Sequence, residues 1–597
     1  MHPRRFTYTC DMRKKVWGAK IFPRAARWGN WGGVKRRGPG PARSKRGSAG
    51  SLAVLGALSM AWMGCAEKSQ RTASPTSPPA LSQTAVVAAV TTTVETQAAS
   101  IDAAAEADAA EGDAVPMTST GPQVSTRDLV SFIYELPRID AAHVGVLRAG
   151  THVARSAEPV AGGPCGGGKW YSVEPRGFVC DGREGITIDM DDATVRAASQ
   201  FPPRTGEPFP YAYATSWGSP QYVRVPTLAE EKRFEGEDID GRIAAREAQR
   251  MKMSDKKRWP AVAMPLSEMP SFLADHAMSP NLVEQKLVPS ALTAGNAWPD
   301  MRMSLLTSFD VEGRPFYLTT EQFLVPADRV RPARLCDFHG VELAAADQPG
   351  EHLPMAWVNW KPVPIFRRDE RGSLISTKQT MAVQAHASIA KDEMLVGGVH
   401  YFELLAPPDG VDLPTGERYF IPEGSATRID ALSEIPMGIG ADDTWIDIAI
   451  GNQTLVLYKG LVAQFVTLVS TGIDGAGDPE TTHSTPRGTY RILAKHITSR
   501  MQADEKPPAK DGDKGDPRYR VDDVPYVQFF HAGYAIHGAY WHDAFGQPKS
   551  HGCVNVSPRD ALYLFQRTTP ELPPGWHAAM GGRAGAEPGT FVHVRVF

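Results

Sequence analysis

The stretch with the greatest potential for chemistry is Ser550-His551-Gly552-Cys553-Val554-Asn555, with a second histidine upstream at His537-Gly538. A thiol is a strong nucleophile as thiolate, and a nearby imidazole favours that state. His551 lies two residues from the cysteine, so on a strand or tight turn it points away from the sulfur unless the backbone bends. His537, on a neighbouring strand, is better placed to take the thiol proton as base and to return it as imidazolium. Gly552, lacking a Cβ, permits an unusual turn and close substrate approach. The N–H groups around Gly552 and Cys553 are then candidate donors to a tetrahedral oxyanion. Ser550, His551 and Asn555 are candidate supporting residues, while Tyr526, Tyr540 and Trp541 are candidate walls of a substrate groove. One alternative stays open: His531, His537, His542, Asp543, His551 and Cys553 are residue types that also bind zinc, although no HExxH or CxxC spacing accompanies them.

These side chains need strands to hold them. Trp445–Ile450 alternates polar and apolar residues, Asn452-Gln453 is a turn, and Thr454–Tyr458 runs back. Lys459-Gly460 turns again into Val462–Ser470, which predicts a β-meander. Thr485-Pro-Arg-Gly488 precedes a further strand, Thr489–Leu493. A charged, Pro/Gly-rich loop is expected over Asp504–Asp523. Tyr526–Phe530 and Tyr534–His537 flank a His531-Ala-Gly533 turn. Beyond the cysteine, Ser557-Pro558-Arg559-Asp560 has the order of a helix start: an N-cap hydroxyl, proline at the first position and an acid in the first turn. A helix N-terminus near Cys553 would favour both thiolate and oxyanion.

The His-Gly element, the variable loop and the Ser-His-Gly-Cys string followed by an aliphatic residue and Asn resemble the active-site signature of the L,D-transpeptidase (YkuD-type) family. The meander and the Thr-Pro-Arg-Gly element match as well, so the resemblance covers about 150 residues, taken as 441–597. It implies a mainly β fold, a sandwich or barrel with a short helix after the cysteine. It also implies a cysteine acyltransferase acting on peptidoglycan stem peptides, without cofactor or metal. Cys553 would be the nucleophile, His537 the proton donor and acceptor, and the Gly538 carbonyl the group that orients the imidazole. Cys553 would attack the carbonyl of the third residue of a tetrapeptide stem and release D-Ala. An amine would then resolve the thioester by 3→3 crosslinking, D-amino-acid exchange or attachment to a protein lysine. Water as acceptor would make the protein an L,D-carboxypeptidase, and a non-catalytic wall-binding lipoprotein is the reading from a different class.

The remainder of the 597 residues supplies context. The net charge is −3, so no bulk attraction to nucleic acid or membrane is implied. Gly (55) and Pro (49) are abundant enough to favour a turn-rich β architecture. Residues 1–65 are a basic region and a short apolar run, Ser51–Gly64, ending at Cys65. The run is shorter than the ~20 residues a membrane span needs and has the form of a secretory signal. Gly64-Cys65 resembles a lipoprotein cleavage site, which implies lipidation of Cys65, a membrane anchor and an envelope (periplasmic) location. Residues 66–126, rich in Ala, Ser, Thr and Pro, read as a disordered tether. Residues 127–200 are expected to form a small β module, with Val144–Gly150 and Trp170–Cys180 resembling a bacterial Src-homology-3-like barrel, a fold that often binds cell wall. In an oxidising compartment Cys165 and Cys180 could staple that module. Residues 201–440 are expected to hold further β-rich modules and a charged, solvated helix over 228–257, with Cys336 a buried or incidental thiol.

Overall fold

The alternation after Trp445 folds as the strands Thr444–Ala449, Thr454–Lys459 and Val462–Leu468, each antiparallel to the next. The computed structural model describes residues 121–254, 264–280, 291–334, 336–345, 347–503, 519–582 and 586–597. The signal-like segment, Cys65, the tether up to residue 120 and most of the charged loop, 504–518, lie outside the described residues. The fold is mainly β, as the sequence predicts.

The meander sits in a six-stranded sheet. Phe591–Arg595 runs parallel to Thr444–Ala449 on one side, Gly488–Arg491 lies beyond it, and Val341–Glu342 closes the other edge. Facing it are Ala494–Ala503, Tyr519–His531, Tyr534–Gly538 and Val554–Val556. The inner faces meet in one core. Ile446, Ile448, Leu455, Leu457 and Phe465 come from the first sheet, and Phe530, Ile536, Val554 and Val556 from the second. Removing such side chains from water is the main stabilising term, about 1.5–3 kcal/mol for each large one. Asp522 and Asp523, expected in the loop, belong instead to the Tyr519–His531 strand.

The helix Pro558–Arg567 adds Ala561, Leu564 and Phe565 to this core. Its cap is the one the sequence predicts: the Ser557 hydroxyl oxygen accepts the Asp560 N–H at 3.0 Å, and Pro558 takes a position with no donor to lose. The fully buried Asp560 carboxylate accepts from Thr467 Oγ1 (2.5 Å) and Gly340 N–H (2.9 Å), with His339 Nδ1 at 2.6 Å. At the other end the buried Lys495 donates Nζ to the carbonyls of Phe565 (2.5 Å) and Thr568 (2.6 Å), which satisfies orphan acceptors of the last turn. Burial lowers its pKa to about 7.

The second catalytic sheet continues into other parts of the chain. Ala578–Met580 pairs with both Ala494–Ala503 and His143–Leu147, which pairs in turn with Ser131–Tyr134. Strand Arg302–Val311 meets Tyr519–His531 at Arg302↔Val521 and pairs antiparallel with Ala212–Ser216. Trp576 packs into the core of the 127–200 region beside Val144 and Leu147. Gly145 is required there, because a Cβ at that position would lie 2.2 Å from the Trp576 ring. A buried ionic knot crosses the same seam. Arg148 Nη1 donates to Asp523 Oδ1 at 2.6 Å, Thr498 Oγ1 donates to that oxygen at 2.9 Å, and Thr320 Oγ1 donates to Oδ2 at 2.7 Å.

The charged segment expected as one solvated helix is two, Leu228–Glu235 and Ile239–Ser254, separated after Gly236 takes a positive φ. It is also not wholly solvated. Glu231 and Glu235 turn inward onto Arg314, and Glu235 accepts from Arg242 as well. Cys165 and Cys180 are joined by a disulfide. Cys336 is a buried thiol whose pKa burial pushes up to about 11. Residues 355–429 form a three-stranded and a five-stranded sheet.

Candidate active site

Strands Tyr534–Gly538 and Val554–Val556 run parallel, with Ile536 opposite Val554 and His537 opposite Asn555. Successive side chains of a strand alternate faces. Ile536 and Val554 therefore share the face buried in the sandwich core, while Ala535, His537, Cys553 and Asn555 share the other. The packing agrees: Ala535 and Cys553 lie in a cluster with Tyr213, Tyr540, Val524 and Val527, apart from the Ile536–Val554 core. The structure thus brings His537 and Cys553 to one face of adjoining strands, both almost fully buried. His537 Nδ1 is 3.2 Å from the Gly538 carbonyl oxygen. With Nδ1 carrying the proton and donating there, Nε2 is left as the base.

The turn before Cys553 is held by Ser550. Its hydroxyl donates to the Cys553 carbonyl at 2.5 Å and accepts the Gly552 N–H at 3.0 Å. Thr485, from the Thr-Pro-Arg-Gly element, donates Oγ1 to the Gly552 carbonyl (2.9 Å) and accepts the Gly472 N–H (3.0 Å). Gly552 has φ +121°, and a Cβ there would lie 2.4 Å from the Tyr534 ring. The requirement for glycine is therefore backbone conformation and close packing. The expectation that the Gly552 N–H serves an oxyanion is corrected, because Ser550 already occupies it.

His551 is half-buried. Its ring is edge-on to His483 (4.6 Å between centroids) and stacks near Tyr519 (5.7 Å). Asn555 exchanges backbone hydrogen bonds with Ser470 and donates Nδ2 to His542 Nε2 at 3.0 Å. Burial lowers the His542 pKa to about 4, against the opposing charge of Asp543. It is therefore a neutral acceptor at ordinary pH. Among the described residues, the buried His542 Nδ1 and Asn555 Oδ1 have no hydrogen-bond partner, a cost of about 1–3 kcal/mol apiece.

The three aromatic residues expected to wall a groove behave differently. Tyr526 is a core residue: it is 1% exposed, belongs to the Ile536–Val554 cluster, and donates its hydroxyl to backbone carbonyls including Thr205 (3.1 Å). Its assignment to substrate is corrected. Tyr540 lies in the Cys553 cluster but is 2% exposed and stacked on Tyr213 at 3.9 Å, so it lines the floor of the site. Trp541 is half-buried, with its ring 5.8 Å from that of His537 and the Arg302 guanidinium over it at 5.7 Å. Sequence reading missed Arg302 and Tyr213, which come from distant strands; it placed His542 only among the possible zinc ligands and gave no site role to Thr485, although both lie in segments it had already noted. Among the described residues, the histidines and acids of this region do not bring three ligand atoms within 4.8 Å of one another; Glu393, His400 and Glu423 do.

The two-sheet β domain thus presents a buried cysteine and histidine on one face of neighbouring parallel segments. Residues 443–594 match the L,D-transpeptidase catalytic domain (YkuD), and this part of the chain is such a domain. Among solved structures, the chain is similar to the L,D-transpeptidase of Xylanimonas cellulosilytica (residues 123–326). Identity there is 20%, covering 27% of this chain and 64% of that one, with TM-score 0.16. The E. faecium L,D-transpeptidase catalytic domain is 21% identical over 26% of this chain and 98% of that one (TM-score 0.18). L,D-transpeptidase 3 of Mycobacterium tuberculosis is 18% identical over 35% and 98% (TM-score 0.19). No curated protein matches the sequence.

Proposed function

We propose that the protein is an L,D-transpeptidase that transfers peptidoglycan stem peptides through a thioester on Cys553. The observation that carries this reading is the pairing of His537 with Asn555 across parallel strands, which sets His537 and Cys553 on one buried face. His537 accepts the thiol proton as sulfur attacks the carbonyl of the third stem residue. The tetrahedral intermediate collapses to a thioester, and His537 gives the proton to the departing D-Ala amine. An acceptor amine then attacks the thioester, passes its proton to the imidazole, and leaves as a new amide while Cys553 regains its thiol. Trp541, His542 and Asn555 border the catalytic pair. The same thioester resolved by water gives an L,D-carboxypeptidase.

The test is mass spectrometry of tetrapeptide muropeptides incubated with the protein. Crosslinked or exchanged stems support transfer, tripeptide alone supports hydrolysis, and unchanged substrate with no thioester adduct rejects both. On sequence grounds we place the enzyme in the periplasm. Cys65 would be the lipid anchor and the 127–200 region a wall contact; the tether, expected over 66–126, would end before Gln123–Thr126, which is a buried strand of the folded body. Cys65→Ala should release the mature protein from membranes; unchanged detergent-phase partition would reject the anchor.

A further inference from the structure

We infer that Arg302 binds a free carboxylate of the peptide substrate and so sets substrate specificity from a strand outside the family-matched region. The inference rests on the proposed reading of Cys553 and His537 as an acyl-transfer site. Arg302 is held from two sides, opposite Thr215 on one strand and Val521 on another. Its guanidinium lies 5.7 Å over the Trp541 ring, and that ring is 5.8 Å from His537. Its charge reaches both Tyr540 and His542.

Several other buried or half-buried guanidiniums are answered by acids. Arg148 meets Asp523, Arg314 meets Glu235 and Asp328, and Arg500 and Arg520 meet Asp522. Arg302 is half-buried, yet among the described residues its charge has neither an ion pair nor a hydrogen bond. The neighbouring charge of Arg331 has the same sign. A guanidinium fixed on two ladders, laid on an aromatic face and with no carboxylate partner among the described residues is preorganised for one. It would accept a carboxylate in the bidentate geometry that arginine favours. A stem tetrapeptide offers two sources, the terminal carboxylate of the leaving residue and a side-chain carboxylate of the diamino acid.

The experiment measures kcat/KM of the full-length protein, Arg302→Gln and Arg302→Lys on three donors: the native tetrapeptide, its terminal carboxamide and its side-chain carboxamide. On the native donor Arg302→Gln should lose roughly ten- to a hundredfold, the loss of one charge-assisted contact. Arg302→Lys should recover part of it. The donor lacking the contacted carboxylate should be as poor for the parent protein and should suffer no further loss in Arg302→Gln, which identifies the source. Equal losses on all three donors would mean a purely structural role, and no loss on any would mean no contact; either overturns the inference. If the parent protein turns over none of the donors, the acyl-transfer reading fails separately. Calorimetric affinity of the same peptides for the parent and Arg302→Gln then decides: a loss confined to peptides bearing one carboxylate supports the inference, and equal affinities overturn it.

Discussion

Ser550 and Cys553 are joined through the cysteine's own backbone: the serine hydroxyl donates to the cysteine carbonyl at 2.5 Å while accepting the Gly552 N–H at 3.0 Å. Ser550 thus closes the turn that aims the thiol and does not itself face the reaction. Ser550→Ala would leave a buried donor and a buried acceptor unmade, at about 1–3 kcal/mol for each. The expected result is a lower denaturation midpoint together with slower acylation of Cys553 by a carbapenem, followed by intact-protein mass. A variant with parent-like stability and acylation rate would show that the turn is held by Thr485 and the sheet alone.

His537 and His551 have different neighbours, which sharpens the expectation for their variants. His537 shares the cysteine's face, whereas His551 packs on His483 and Tyr519. His537→Ala should lower turnover by several orders of magnitude, His551→Ala by about tenfold or less, and Cys553→Ser severely, since a hydroxyl ionises far less readily than a thiol. A more damaging His551→Ala, with both variants folded, would reverse the roles. Activity lost to EDTA and restored by zinc would favour the metal alternative.

Much of this site was legible because its signals are local. The Ser-His-Gly-Cys string, the hairpin turn at Ala532-Gly533 and the Ser557-Pro558 cap each encode their geometry within a few residues. What escaped needed either a break in periodicity or a distant partner. Val524 and Tyr526 are two apart on one strand, so strict alternation would put both on one face. Tyr526 instead takes φ +50° and turns into the opposite core, against Phe565. A positive φ at a tyrosine has no sequence signature. Arg302 reaches the site by a strand pairing and Tyr213 by stacking on Tyr540, each across more than two hundred residues, and no periodicity within either segment points to that edge.

The knot around Asp523 should behave as a single stability element. Burial opposes ionisation of this carboxyl, but Arg148 and the hydroxyls of Ser304 and Thr320 outweigh it and hold the group below the usual carboxylate range. Its contribution is therefore present at every pH above about 4 and fades only as pH falls further. Removing one partner leaves an uncompensated buried charge. Arg148→Met should cost about 3–5 kcal/mol at neutral pH. In urea denaturation, an unchanged midpoint for this variant would show that the 127–200 region is not coupled to the catalytic sheet through this pair.

Buried histidines give a pH dependence of the same direction, stability lost on acidification, but at a higher pH. Burial lowers the pKa of His496 to about 4 and, with the Arg148 charge adding to it, that of His577 to about 3, both from 6.5. The unfolded chain binds these protons as pH drops below 6.5, while the folded protein refuses them until near pH 4. Stability is therefore full above 6.5 and declines between about 6.5 and 4, by up to roughly 3 kcal/mol per histidine. His577 Nε2 lies 2.9 Å from the Thr498 carbonyl oxygen, so the ring occupies a fixed place beside the Asp523 knot. His496 has the plainer environment, with its ring edge-on to Phe529 at 5.4 Å. His496→Gln is thus the more informative variant: it keeps a neutral polar side chain of similar reach but cannot be protonated. Denaturation midpoints taken from pH 7 to pH 4.5 should fall less steeply for this variant than for the parent protein. Parallel curves would mean that His496 carries its proton in the folded state and that acid sensitivity arises elsewhere.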